Sequence, residues 1–448
     1  MDFRKLGEEI VAKAVKSGAG EAEACLESVK GFEVTVRMGE IETLKRSVSR
    51  GLGLRVFVDR QLGLASTSDL SPAAVDETVR RAVELARLTQ PKPWQGLPDF
   101  GPQKIADLDL FDAGLAAVAD EKKIALAREV ERIALAADKR ITNSDGGVFS
   151  DTERELGLFS SKGVSNLMRE TRCTFGAYVV AGEGDNMQGS GWSSSKRFFK
   201  DLDDAEKVAK TAARRAVEQL GPKPVATQKV PVVFDRYAAP SFWGGVGAAL
   251  NGDAVFRKAT FLTDHLDKPV VSPLVTVVDD PTVPRFVGST PFDGEGQATR
   301  RNVVIDKGVL KMFLYDSQTA RKAGVKVNTI AGRGSYRAAP SAAFLSTVVE
   351  NGKDSFESLF KGVKAGLYVR ALRGAGTDVT TGSFSVGCSG FWIADGAIAH
   401  PVDGITLGGS ALEILMAIDM VADDLDLRGG MNSPSFRVAE MTVGGKKG

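Results

Sequence analysis

The amino-acid sequence predicts an α+β chain of two domains: an N-terminal α/β sandwich-like domain built on an antiparallel sheet, and a β-rich C-terminal domain. Three observations carry this. At 448 residues the chain exceeds what one ordinary core organises. Its first half mixes helical and period-two hydrophobic patterns, whereas its second half consists mostly of short apolar runs closed by turn residues. Between them, residues 221–229 are rich in proline and lysine and read as a linker, which places the domains at 1–222 and 230–448.

Element by element, Leu6, Ile10 and Ala14 recur every fourth residue, the mark of one helix face. Phe32, Val34, Val36 and Met38 then alternate with Glu33, Thr35 and Arg37, predicting a strand with one buried face. Further strands are expected near 41–48 and over 52–58. Ser71-Pro72 supplies an N-cap and a first-turn proline for a helix striped by Val75, Val79, Val83 and Ala86. The proline-rich stretch 92–102 predicts a loop, and a helix follows over 120–139. Strands are expected at 156–159, 164–169 and 173–181, and a helix carrying Val208, Ala212, Ala216 and Leu220 stops at Gly221-Pro222. In the second half, Asp306-Lys307-Gly308 folds residues 303–305 onto 309–313, and Asp395-Gly396, a type I′ turn pair, folds 391–394 onto 397–399.

Composition narrows the function. A formal net charge of +1 provides no basic stripe for nucleic acid and no polybasic membrane patch. Three cysteines, Cys25, Cys173 and Cys388, do not make a disulfide framework and point to a reducing compartment. The N-terminus runs into an amphipathic helix, and the apolar stretch 405–422 is interrupted by Glu413 and Asp419, so a cytoplasmic protein is expected.

Catalytic chemistry is sparse. The two histidines, His265 and His400, stand 135 positions apart, and no His or Cys pair has metal-ligand spacing, so no zinc site is expected from this chain alone. Cys388 and His400 could form a nucleophile–base pair. A two-residue turn at 395–396, however, pairs Phe391 with His400 and puts Cys388 on the opposite face. Asp279-Asp280, Asp293 and Glu295 could hold a cation or act as paired carboxylates, or could serve as turn residues at strand ends. No phosphate loop is present.

Three sequence blocks resemble the TldD/PmbA family of metallopeptidase-related proteins. They are the run from Phe292-Asp293-Gly294-Glu295-Gly296 to Leu310, the block Gly387-Cys388-Ser389-Gly390-Phe391-Trp392-Ile393 with Asp395-Gly396, and the tail from Pro434 to Gly445. The Gly-Phe-Trp-Ile hairpin is similar to the PmbA (TldE) branch. In the TldD branch, a helix ahead of the Val-Val-Asp-Asp strand carries His-Glu-x-x-x-His, which holds zinc and supplies the general base. Counting back from Val277-Val278-Asp279-Asp280, the resemblance aligns Trp243 with the first His, Gly244 with the Glu and Ala248 with the second. None of these can ligate metal or move a proton. The family's cysteine ligand near the C-terminus also has no counterpart. Residues five apart on a regular helix lie about 140° apart, so the motif needs a distorted turn. Gly247 either preserves that turn or serves helix packing.

The resemblance therefore implies a non-catalytic subunit that forms a heterodimer with a zinc-bearing TldD-like sister, or a homodimer. It would act on unfolded peptides inside a shared chamber, lined by Phe242, Trp243, Phe391 and Trp392. A free-standing hydrolase and a peptide-binding scaffold are the alternatives. The family's link to DNA gyrase implies no direct nucleic-acid contact here.

Overall fold

The computed structural model describes residues 2–101, 103–326, 330–374 and 376–445. In chain order its N-terminal half comprises α1 (Phe3–Lys16), β1 (Glu21–Arg37), β2 (Glu40–Val58), β3 (Gln61–Thr67), α2 (Pro72–Leu88), α3 (Asp120–Ala136), β4 (Ile141–Ser160), β5 (Ser165–Ala181), β6 (Gln188–Lys196) and α4 (Ala205–Val217). The six strands form one antiparallel sheet in the order β3-β2-β1-β4-β5-β6. Helix entry follows capping chemistry: Asp2, Ser71 and Asp204 each accept a backbone N–H at the start of α1, α2 and α4. Even-numbered residues of β1 pack under the helices. Ala22, Ala24 and Leu26 meet α1 and α2, and Phe32, Val34 and Val36 meet α3 and α4. Strand alternation therefore places all four helices on one face. On the other face Glu23 and Cys25 are also buried, because Phe292 and Tyr336 of the C-terminal half pack there.

Two segmentations read from the sequence are corrected. The strands expected near 41–48 and over 52–58 are one continuous strand, β2, whose first part pairs with β1 while carrying exposed side chains such as Leu44 and Val48. Likewise β5 runs unbroken through Glu170–Arg172. That polar stretch resembles a break only because Glu170 is there to pair with Arg154 at 3.2 Å and Arg197 at 2.7 Å. The described part of the expected loop, residues 92–101, has neither helix nor strand; Pro102 lies outside the described residues.

The C-terminal half begins with β7 (Gln228–Phe234), α5 (Ala239–Ala249), α6 (Gly252–Phe256), β8 (Val277–Asp279), β9 (Asn302–Asp306), β10 (Val309–Leu310) and α7 (Ser317–Ala323). It continues with β11 (Ala331–Gly332), β12 (Ser341–Ala342), β13 (Thr347–Val349), β14 (Ala365–Arg373), β15 (Ser383–Ala394), β16 (Ala397–Ser410), α8 (Ala411–Met416), β17 (Ile418–Val421), β18 (Met431–Asn432) and β19 (Phe436–Gly444). The main sheet runs β16-β15-β14-β7-β19-β17, and β16 also pairs with β19, which closes five strands into a ring. A second sheet, β10-β9-β8-β13-β18, stands beside it.

Both chain reversals occur where the sequence predicts, but in the first Asp306 belongs to the strand and only Val309–Leu310 returns as one. Lys307 and Gly308 have φ of 44° and 86°, Asp395 and Gly396 of 48° and 78°, the two positive values of a type I′ turn. The register beyond the second turn differs from expectation. Ala394 pairs with Ala397, but a shift between Trp392 and Ile393 sets His400 opposite Trp392 rather than Phe391, and a second shift follows Cys388. What separates Cys388 from His400 is therefore distance along the ribbon: Cys388 pairs with Ile405, five residues further on, roughly 16 Å at about 3.3 Å per residue.

Candidate functional site

α5 has little helical propensity of its own, with three glycines in eleven residues, each costing roughly 1 kcal/mol against alanine. Tertiary burial holds it. Phe242, Trp243, Val246 and Ala249 face the core. Phe242 packs on Phe234, Phe384 and Phe436, and the Trp243 indole N–H donates to Ser433 Oγ at 3.2 Å. The helix is regular through Gly247, so the distorted turn is absent. A Cβ on Gly247 would press on the Phe344 ring at 3.1 Å, which supports the packing reading of this glycine.

The remaining face of α5, with Gly244 and Ala248 four residues apart, is exposed and borders a groove of about 860 Å³. Ser341–Leu345 and Gly430–Met431 form other parts of its wall, and Asn251, Asp253, Arg257, Asp316 and Thr319 supply its polar lining. Each polar group is already engaged. Asn251 caps α6 and donates to Ala342 O at 3.0 Å. Asp253 accepts from Lys322 at 2.8 Å and Arg257 at 2.9 Å, and the Lys322 ammonium holds its carboxyl below the usual range. Asp316 accepts the amides of Gln318, Thr319 and Ala342. Among the described residues the groove thus presents small and apolar side chains with engaged polar groups, and no free base or nucleophile.

The aligned motif positions divide between core and groove. Trp243 is core, while Gly244 and Ala248 line the groove without a donor atom, so these residues do not fit a zinc ion. Among the described residues no group of three or more His, Cys, Asp and Glu is placed to hold a metal. The aromatic residues expected to line a chamber do not face this groove. Phe242, Trp243 and Phe391 are buried in cores and Trp392 packs against one, because their large apolar surfaces stabilise the ring of strands. Burial likewise pushes the Cys388 thiol up to about 12, and His400 stays a partly buried strand residue held below its ordinary value by burial and by Lys223. The side chains that shape the groove, Asn251, Asp253, Asp316 and Phe344, were missed by sequence reasoning. Only the capping pattern at Asn251 and Asp316 could have signalled two of them.

The acidic residues noted in the sequence act as fasteners. Asp279 Oδ1 accepts the amides of Leu345 at 2.9 Å and Ser346 at 2.8 Å, fixing the end of the groove wall. Asp293 accepts the amides of Glu295, Gln297 and Ala331, and Glu295 accepts the Ser317 amide and hydroxyl at the start of α7. Burial pushes Asp279 up to about 6, and burial with the Glu295 charge pushes Asp293 up to about 7. Both acids bind protons more tightly folded than unfolded. Their stabilisation is full below the usual carboxylate range and is lost as pH rises through about 6 to 7. Asp279→Asn keeps the accepting oxygen and removes the charge. Its stabilising effect should be larger at pH 8 than at pH 4.5 by on the order of 2 kcal/mol. Urea midpoints at the two pH values test this; an equal shift at both would disprove the charge argument.

Comparison with known proteins places this architecture. The PmbA/TldA metallopeptidase domain 1 matches residues 22–86, the central domain residues 114–220 and the C-terminal domain residues 227–445. Metalloprotease PmbA of Escherichia coli O157:H7 is 34% identical, covering 99% of this chain and 97% of that protein. The metalloprotease PmbA homolog of Haemophilus influenzae is 31% identical over 97% and 94% of the two chains, and the TldD homolog of the same organism 29% over 89% and 87%. A solved structure from Bacteroides thetaiotaomicron, whose name includes the words modulator of DNA gyrase, superposes with a TM-score of 0.91 at 26% identity, over 99% of each chain. TldE from Thermococcus kodakarensis shares the fold, with a TM-score of 0.89 at 22% identity over 98% of this chain and 100% of that one. With three domain matches in series and a full-length relative above 30% identity, the chain belongs to the PmbA/TldD metallopeptidase family.

Proposed function

We propose that this chain is the PmbA/TldE-like, non-catalytic subunit of a two-component zinc metallopeptidase that acts on unfolded peptides. In this reading the α5 groove forms part of the wall of a shared peptide chamber, and the zinc belongs to a TldD-like sister subunit. The observation that carries it is the exposed face of α5. A groove of about 860 Å³ is present, yet Gly244 and Ala248 offer no ligand or base where the family motif has both. Similarity to proteins named metalloprotease supports the peptidase context, and one bacterium's possession of both a PmbA homolog and a TldD homolog supports the pairing.

The test is cleavage of an unstructured peptide by this chain, by a TldD-like sister and by their mixture, each with and without a chelator. Cleavage by the mixture that the chelator abolishes, with none by this chain alone, is the expected result. Chelator-resistant cleavage by the isolated chain would replace this reading with a free-standing hydrolase. Peptide binding without complex or cleavage would replace it with a scaffold.

A further inference from the structure

A second cavity, of about 550 Å³, opens between the two halves of the molecule and shares no lining residue with the α5 groove. α4 contributes Lys207, Arg214 and Arg215 from one side, and the end of β7 and β14 contribute Asp235, Arg236 and Arg370 from the other. Most of these charges are matched. Asp235 accepts the Tyr237 amide and the Tyr368 hydroxyl and lies 3.7 Å from Arg370. Arg214 pairs with Glu218 at 3.0 Å, Lys207 with Asp203 at 3.2 Å, and Arg236 approaches Asp424 at 3.9 Å. Asp424 is itself bound by the Ser435 amide and hydroxyl, and Glu357 and Asp423 are exposed at the rim.

Arg215 is the exception. Among the described residues its side chain makes no hydrogen bond and no ion pair, although its backbone carbonyl accepts from Gln219. Its guanidinium lies over the Trp192 ring at 5.1 Å and the Tyr237 ring at 5.9 Å, and its Nε is buried without a partner. Arg428 and Arg236 crowd the same two rings, at 4.1 Å from Trp192 and 5.0 Å from Tyr237. Stacking satisfies the faces of a guanidinium but not its in-plane donors, which match the two oxygens of a carboxylate or phosphate.

We propose that this seam cavity is an oxyanion-binding site, in which Arg215 takes a carboxylate or phosphate group on its terminal nitrogens and Arg370 and Lys207 supply the surrounding positive field. Burial, then the Arg370 charge, press the Arg215 guanidinium below its ordinary value, with Asp235 opposing, so an arriving anion relieves an unfavourable cluster. Because α4 and β14 belong to different halves, the ligand also bridges them.

The experiment uses the full chain titrated with inorganic phosphate, against chloride at equal ionic strength, with melting temperature and Trp fluorescence as readouts. In a second arm a short peptide with a free C-terminal carboxylate is compared with its amidated form. A saturable rise in melting temperature is expected. Arg215→Met should weaken it about tenfold, exposed Lys207→Met about two- to threefold, and Arg132→Met, an exposed side chain on α3 paired with Glu129 and outside the cavity lining, not at all. Response to phosphate alone identifies a free oxyanion; response to the carboxylate peptide but not the amide identifies a chain terminus. A response that does not saturate, or that is equal in wild type, Arg215→Met and Lys207→Met, overturns the proposal.

Discussion

Glu23→Ala should destabilise the chain by about 3–5 kcal/mol, the largest stability loss expected from a single charge removal in this molecule. Glu23 lies on the face of β1 turned away from the helices and is almost fully buried. One carboxylate oxygen accepts from Arg55 on β2 at 2.7 Å and the other from Arg333 of the C-terminal half, and both guanidinium side chains are themselves nearly buried. Burial alone would raise the Glu23 carboxyl, yet the Arg333 and Arg55 charges outweigh it and hold it below the usual range. Removing the carboxylate leaves two desolvated cations without an ion-pair partner, with the Glu295 carboxyl in their vicinity. Arg333 would keep its bonds to the Gly294 and Ala338 carbonyls, whereas Arg55, whose Nε already lacks a partner, would keep none. Urea unfolding measures the effect. A loss below about 1 kcal/mol, the level of an exposed ion pair, would show that water reaches this site and that the clamp between the halves is elsewhere.

Ala248→Trp should change activity far more than stability. Ala248 is exposed on α5 and points into the groove, so the indole has room and the unfolding midpoint should move by no more than about 0.5 kcal/mol. If the groove lies on the path of a peptide, the ring occupies the peptide's space. Cleavage by the mixture with a TldD-like sister should then fall about tenfold or more, a loss of about 1.4 kcal/mol in productive binding. Complex formation, followed by size-exclusion chromatography, should persist. Unchanged cleavage in an intact complex would remove the groove from the peptide path while leaving the proposed pairing standing.

Local chemistry in the sequence accounts for much of the fold. Ser71-Pro72 capped a helix where expected, and Asp395-Gly396 set a type I′ turn because Asp and Gly accept positive φ values cheaply. Alternation at 32–36 marked the buried face of β1 correctly. Pattern reading failed where polar residues sit inside long strands, as at Glu170–Arg172, because cross-strand ion pairs leave no hydrophobic period. It also failed at Trp392, where a bulge moved the register by one residue. The groove was only half legible. The positions Trp243, Gly244 and Ala248 could be aligned by resemblance, but which of them met solvent could not.

The sequence by itself determined the family, the absence of ligand chemistry at the aligned motif, and the turns and caps, since each depends on residue type within a few positions. Tertiary structure alone decided which face of α5 is buried, that Glu23 and Arg333 meet across 310 positions, and that the Arg215 side chain has no hydrogen-bond or ion-pair partner among the described residues at the seam. The physical reason is range. Turn and cap energies are set by neighbouring backbone angles, whereas burial and charge pairing are set by what distant segments bring within a few ångströms, which no local pattern encodes.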